Sequence, residues 1–176
     1  GIYAVNGIDE SWSFYYGYIS YQDYMKQLED FSASKYDPNK WANIIKQSGA
    51  RYAVLTSKHH DGVALWPTQL SSLNVKEKTP AERDLIEPFC RALRKQDLKV
   101  GLYFSHLDWS HPDYPYFTST QTRYDKNQDP ERWANFVQFR NGQVDEIARK
   151  YQPDLFWFDG DWDFSAEEWK AKELKD

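Results

Sequence analysis

Apolar positions fall along the chain in two alternating rhythms. Residues 20–31 place Tyr21, Tyr24, Met25 and Leu28 on one face at helical spacing, which predicts a helix. Asp37-Pro38 predicts a second helix start, with Asp as the N-cap and Pro at the first helical position. Its apolar face is Trp41, Ile44 and Ile45, and Gly49 is the expected stop. The short apolar run 51–57 then reads as a buried strand. The unit recurs: Asp84 and Glu87 have the spacing of a capping box, and the helix they open buries Leu85, Ile86, Phe89 and Leu93. Pro88 is tolerable only near that start. Residues 98–105 form the next expected strand, and a long loop runs from about 106 to 130. Trp133, Phe136, Val137, Val144, Ile147 and Ala148 mark another helix. Residues 154–159 are the third strand, and 165–174 read as a final helix.

Near-continuous apolar strands separated by helices imply an α/β fold with a parallel sheet covered by helices. An open doubly wound sheet and part of a (β/α)8 TIM barrel both fit. Polar residues close each strand: Lys58-His59-His60-Asp61, Ser105-His106 and Asp159. Both architectures place active sites at such carboxyl ends. No glycine-rich phosphate loop follows a strand, which counts against a nucleotide-binding open sheet. A complete barrel needs about 250 residues, and three strands cannot close one. The opening Gly1-Ile-Tyr-Ala-Val reads as the exit from a strand that is not present. Residues 1–176 are therefore expected to be a partial catalytic barrel domain. It would lack the first strand and the later strands, with the remaining barrel segments of the same protein as its partner.

The net charge of −5 gives no reason to expect nucleic acid or an anionic membrane as a partner. No apolar run has the length to span a bilayer. No basic, then apolar, then small-residue pattern opens the chain, so the compartment is not legible there. The single cysteine, Cys90, excludes an internal disulfide framework and is expected to be a small buried residue. Aromatic residues change the picture more, since they make up 18% of the chain. Many fall in expected loops, among them Trp12, Tyr15, Tyr16, Trp109 and Tyr116. Flat rings with polar tips suit half-wet, half-apolar surfaces, and sugar rings have apolar faces and hydroxyl rims. Packing of loops onto the domain accounts for these rings equally well.

Side chains alternate along a strand, so Trp157 and Asp159 share one face in Phe156-Trp157-Phe158-Asp159-Gly160. A carboxylate there can attack an anomeric carbon while the indole packs on the sugar face. An Asp-Gly pair also closes turns, so a structural role stays open. His59 and His60 would point oppositely on a regular strand; a turn at Asp61-Gly62 can bring both to the mouth as hydrogen-bonding imidazoles. Tyr103 shares a face with Ser105, and Trp12 and Trp66 lie in loops that could wall a pocket. A metal centre built from His59, His60, Asp159, Asp161 and Asp163 is the competing reading. Its calcium-loop pattern fails, with Phe164 at the sixth position and Lys170 at the twelfth. No metal and no cofactor are expected.

These motifs together resemble the α-L-fucosidases of glycoside hydrolase family 29, through most of the chain. Gly1-Ile-Tyr resembles the tail of the family's first-strand motif, and Glu10-Ser-Trp12 its Glu/Ser-Trp loop. Tyr36-Asp-Pro38 with Trp41 matches a helix start. The stretch from Ala50 to Gly62 with Leu65-Trp66-Pro67 is the most specific. Arg83-Asp84, Gly101 to Ser105 with Asp108-Trp109, and Leu155 to Gly160 follow in order. The resemblance implies a retaining glycoside hydrolase that releases terminal α-L-fucose from oligosaccharides or glycoconjugates. Asp159 then matches the nucleophile, His59 and His60 the pair that binds fucose hydroxyls, Tyr103 a tyrosine beside the nucleophile, and Trp157 a pocket residue. The general acid/base has no match in this chain. A non-catalytic fucose-binding derivative and a metal-dependent hydrolase are the alternatives. An extracellular or periplasmic setting rests only on the usual habitat of such enzymes.

Overall fold

The three apolar runs become three parallel strands, β1 (Tyr52–Lys58), β2 (Lys99–Ser105) and β5 (Leu155–Asp159), hydrogen-bonded in that order. The structure is a computed structural model that describes Ile2 and residues 10–174. The strand exit expected at the start therefore lies, apart from Ile2, outside the described residues. Tyr52 pairs with Lys99 and Gly101 with Leu155, and the register brings Tyr103 opposite Trp157 and Ser105 opposite Asp159. One sheet face carries Val100, Leu102 and Phe104, each fully buried and worth roughly 1.5–3 kcal/mol apiece for the apolar surface removed from water. The opposite face carries Gly101, Tyr103 and Ser105 beside Trp157 and Asp159. Gly101 is needed for close approach, because a Cβ there would lie 2.7 Å from Val54 and 2.9 Å from Leu155.

Helices connect the strands. α3 (Pro38–Gln47) starts as expected, with the Asp37 carboxylate accepting from the Lys40 N–H at 3.0 Å. Its Trp41 and Ile44 are exposed, contrary to the buried face expected of them. α5 (Ile86–Lys95) begins where Asp84 Oδ1 accepts from the N–H groups of Ile86 and Glu87. Leu85, Ile86, Phe89, Cys90 and Leu93 are all buried. α6 (Pro130–Tyr151) runs 22 residues, longer than its apolar stripe, because Asp129 caps it and Pro130 opens it.

Three expectations fail locally. Residues 20–31 are not one helix but α2 (Tyr21–Met25) followed by a 3₁₀ turn over Lys26–Glu29. There the buried Gln27 amide donates to the Tyr24 carbonyl at 3.0 Å, and the chain tightens around it. The final helix is reduced to turns and a 3₁₀ segment, Ala171–Leu174. The segment 106–130 contains a small antiparallel pair, β3 (Tyr116–Thr118) and β4 (Gln121–Thr122). Two further short helices are α1 (Trp12–Tyr15), in a stretch read as loop, and α4 (Val75–Lys78), in a stretch given no element.

A buried polar frame sets the ends of the strands. The Lys58 ammonium is fully buried, 3.2 Å from Asp108 Oδ2 and 4.6 Å over the Phe104 ring. Burial lowers its pKa and the Asp108 charge opposes that shift. Asp108 Oδ1 also accepts from the N–H groups of Ser110 and His111. Asp61 accepts from the Tyr24 hydroxyl at 2.7 Å and from the Val63 N–H at 2.9 Å. Behind β2, the fully buried Arg140 of α6 donates to His106 Nδ1 at 3.1 Å and to the Trp169 carbonyl. A guanidinium has only donors, so His106 is neutral with its proton on Nε2. Burial, with Arg140 and Lys58 nearby, holds its pKa down to about 3.

Gly62 adopts φ +78°, and a Cβ there would lie 2.3 Å from Asp108 Oδ1. Gly62→Ala is expected to cost about 2–3 kcal/mol, read as a lower urea midpoint with unchanged slope. An unchanged midpoint would show that the Asp108 loop can yield. A second expectation concerns acid. His106 protonates near 6.5 when unfolded and near 3 when folded, so the unfolded chain binds more protons between these values. Its contribution to stability is complete above pH 6.5 and drains away as pH falls toward 3. Imidazole nitrogen shifts of the folded protein should remain those of neutral His106 at pH 5; imidazolium shifts there would refute the assignment.

Candidate active site

The site forms where the tips of β1, β2 and β5 meet. β1 ends at Lys58, and the next residues turn: the Gly62 N–H donates to the His59 carbonyl at 3.0 Å. The positive φ of Gly62 makes this turn possible. It swings both imidazoles to the same side, with ring centroids 4.1 Å apart. From β2 comes Tyr103, whose ring stacks on His59 at 5.7 Å and whose hydroxyl donates to Asp159 Oδ2 at 2.5 Å. Asp159 closes β5, and its Oδ1 accepts from the Gly160 N–H at 2.9 Å. The strand ends are tied by the His106 N–H donating to the Asp159 carbonyl at 2.8 Å. One donor atom from each of His59, His60 and Asp159 lies within 4.8 Å of the other two. Four of the expected residues thus converge.

Hydrogen bonds set the protonation of the imidazoles. Ser105 Oγ donates its one proton to the Leu107 carbonyl at 2.8 Å, so at 2.6 Å from His60 Nδ1 it acts as acceptor. His60 therefore carries its proton on Nδ1 and keeps a bare lone pair on Nε2. Burial, with the neighbouring His59 and Lys58, lowers its pKa to about 3. His59 Nε2 lies 3.3 Å from Glu10 Oε2, and its Nδ1 3.0 Å from Ser11 Oγ. Glu10 can only accept when ionised, which leaves Nδ1 as the acceptor for the Ser11 hydroxyl. Burial lowers the pKa of His59 against the pull of Asp61 and Glu10. Burial and then the bond to Asp159 raise that of Tyr103 far above the usual phenol value. Tyr103 is thus a fixed donor and His60 a fixed acceptor at neutral pH.

Aromatic rings wall one side. Trp12 meets His60 at 5.4 Å and Trp109 at 4.9 Å edge-on, and stacks with Trp162 at 6.1 Å. Trp162 also meets His60 at 5.7 Å and is 55% exposed. Trp157 lies on the Asp159 face and is 58% exposed. Trp66 is placed differently from the expectation. It is buried in the core, and its indole N–H donates to Glu146 Oε2 of α6 at 3.2 Å, as does the Thr68 hydroxyl, while the Gln69 N–H donates to Oε1. Asp163 also turns away, accepting from the Tyr114 hydroxyl. Ser11, Ser105, Trp109 and Trp162 were given no role in the site from sequence, although Ser105 stood at a strand end and Ser11 and Trp109 in motifs. Ser105 had a signal, two positions after Tyr103 on one strand face; Trp109 and Trp162 lie in irregular segments with no periodicity to read. A separate apolar cavity of about 600 Å³, lined by Phe31, Tyr36, Trp41, Leu55, Leu65 and Leu85, holds none of these groups. The convergence of acid, base and phenol, rather than cavity size, marks the site.

Comparison with known proteins gives one answer. The α-L-fucosidase family pattern matches residues 1–175. The tissue α-L-fucosidase of Rattus norvegicus is 33% identical over 167 residues, covering 89% of this chain and 31% of that protein. The Homo sapiens enzyme is 35% identical over 155 residues, covering 87% and 30%. Among solved structures, α-L-fucosidase isoenzyme 1 from Paenibacillus thiaminolyticus superposes with a TM-score of 0.85 at 37% identity, covering 99% of this chain and 42% of that one. A family 29 α-L-fucosidase from Bacteroides thetaiotaomicron, trapped as a covalent intermediate with 2-fluoro-fucosyl fluoride, gives 0.84 at 30% identity, covering 99% and 42%. The chain thus spans about a third of the length of the curated relatives it matches. Over that span the chain belongs to the α-L-fucosidase family.

Proposed function

We propose that this chain carries the nucleophile side of a retaining α-L-fucosidase active site, set in a (β/α)8 barrel that other segments complete. The observation that carries the reading is the Asp159 carboxylate, held by Tyr103 and the Gly160 N–H at the tip of β5 and flanked by two neutral imidazoles. The two donors orient the carboxylate and occupy one lone pair on each oxygen; a remaining pair of one oxygen bonds to the anomeric carbon as the bond to the leaving oxygen breaks. The transition state has oxocarbenium character, and the product of the first step is a covalent glycosyl-enzyme that water then cleaves. The bare Nε2 of His60 accepts from a sugar hydroxyl, and His59 offers a second polar contact. Trp12 and Trp162, with the buried Trp109 packed behind Trp12, supply the apolar surface that a 6-deoxy sugar's methyl group and ring face require. The covalent intermediate trapped in the Bacteroides relative supports the retaining course.

Retaining chemistry needs a second carboxyl about 5–5.5 Å from the first to protonate the leaving oxygen; no residue of this chain matches the family's general acid, so that role is assigned to another segment of the barrel. The barrel reading is supported at both sheet edges. Among the described residues β5 pairs on one side only, and beyond its pairing with β2 the strand β1 has only an isolated bridge at its tip, Lys58 to Ala64. Trp157 and Phe158 of β5 are exposed, and the apolar cavity beside β1 includes its Leu55. Such edges call for further strands. The substrate class is a terminal α-L-fucoside on an oligosaccharide or glycoconjugate.

In the whole protein, Asp159→Ala should lower turnover of an aryl α-L-fucoside by orders of magnitude while L-fucose still binds. Proton NMR of the wild-type reaction should show the α anomer of fucose released first. Near-normal turnover of the variant, or initial release of the β anomer, would sink the assignment. Tyr103→Phe removes one hydrogen bond to a charged acceptor, worth about 1.5–3 kcal/mol. That predicts a roughly ten- to hundredfold loss in kcat/KM at 1.36 kcal/mol per decade. An unaltered kcat/KM would show that the phenol plays no part in the step.

A further inference from the structure

We propose that the same strand-end cluster binds a zinc-type divalent ion through His59, His60 and Asp159, and that this ion competes with sugar rather than assisting hydrolysis. The three donor atoms already lie within 4.8 Å of one another. Zinc bonds of about 2.0–2.2 Å in tetrahedral geometry put ligand atoms roughly 3.3–3.5 Å apart, so each side chain needs to close in by about an ångström. Two nitrogens and one carboxylate oxygen suit zinc, copper or nickel. Calcium and magnesium demand six or more oxygens and have no such set here.

The surroundings of the three groups set them apart from a chance surface cluster. Metal-bound imidazoles and carboxylates work best when their far atoms are already held. His60 Nδ1–H is fixed by Ser105, itself anchored on the Leu107 carbonyl. Asp159 is fixed by Tyr103 and the Gly160 N–H. His59 is fixed by Ser11 and Glu10. Both imidazoles are neutral, so no proton must leave His60 Nε2 before it coordinates. At His59 the ion displaces a hydrogen bond of ordinary strength, a cost of about 1 kcal/mol. Three protein ligands leave a fourth position for water.

Such an ion would sit on the carboxylate that the proposed reaction needs as nucleophile. Its effect on turnover is therefore inhibitory, the opposite sign to a metal-dependent hydrolase. The binding step stands on geometry alone; the competition rests on the fucosidase reading. Isothermal titration of zinc sulfate into the whole protein should show one ion bound per molecule. His60→Gln and Asp159→Asn should each weaken it about tenfold or more, and magnesium and calcium should give no binding heat. Zinc-edge X-ray absorption of the unaltered protein, which needs no variant to fold, should show two imidazoles in the ion's shell. Equal affinity in both variants, or a shell without imidazole, would overturn the site. In the whole enzyme, zinc should raise KM for an aryl α-L-fucoside with kcat unchanged, and a chelator should restore the rate. Loss of activity on chelation would overturn the competitive role. Failure to cleave any fucoside would count against the function reading only, since titration and absorption decide the ion site by themselves.

Discussion

The Tyr103 hydroxyl reaches Asp159 because parallel pairing of β2 with β5 sets Ser105 beside Asp159 and Tyr103 one step behind. A phenol is long enough to lean forward by that step and donate into the carboxylate. A shift of one residue would send Tyr103 to the helix-covered face and bring Phe104 to the mouth. Register is therefore the constraint on which the site depends. It is enforced from behind, where Val100, Leu102 and Phe104 lose all contact with water under α5 and α6. Roughly 1.5–3 kcal/mol for each of these side chains outweighs the contribution of any single polar contact at the mouth. The core thus dictates where the chemistry stands.

Around this register the polar groups divide into those that hold and those that act. Lys58–Asp108 and Arg140–His106 are sealed from solvent, and their partners are backbone N–H groups, carbonyls and ring faces. A buried ion pair adds little net stability over an apolar one, but breaking it is costly. Its effect here is geometric: Asp108 packs against Gly62 and thereby shapes the turn that presents His59 and His60. The acting groups sit one layer out. Ser105, Ser11 and the Gly160 N–H fix their orientation without neutralising them.

The same preorganisation that suits a sugar suits an ion. Neutral imidazoles with one nitrogen committed and one presented, beside an oriented carboxylate, are acceptors for hydroxyl protons and equally donors of lone pairs to a Lewis acid. What separates the two ligands is the aromatic wall. Trp12 and Trp162 add apolar contact area that a ring-shaped partner can cover and a single ion cannot.

Much of this was written in local signals. The strands at 52–58, 99–105 and 155–159, and the starts of α3 and α5, follow from apolar runs, Asp caps and prolines that act within a few residues. The candidates Asp159, His59, His60 and Tyr103 were legible because strand ends and a period of two are local properties. Other features depended on what arrives from elsewhere in the chain. Trp66 became core because Glu146, eighty residues away, accepts its N–H. Residues 26–29 tightened into a 3₁₀ turn around buried Gln27. Trp162 joined the wall across the gap from Trp12. The tautomer of His60 was fixed by a serine whose proton goes to Leu107. Sequence alone settles short-range choices, in which one peptide's preferences meet its neighbours'. Contacts between distant segments form only when the sheet closes its register and the helices dock, so they were decided by the tertiary structure.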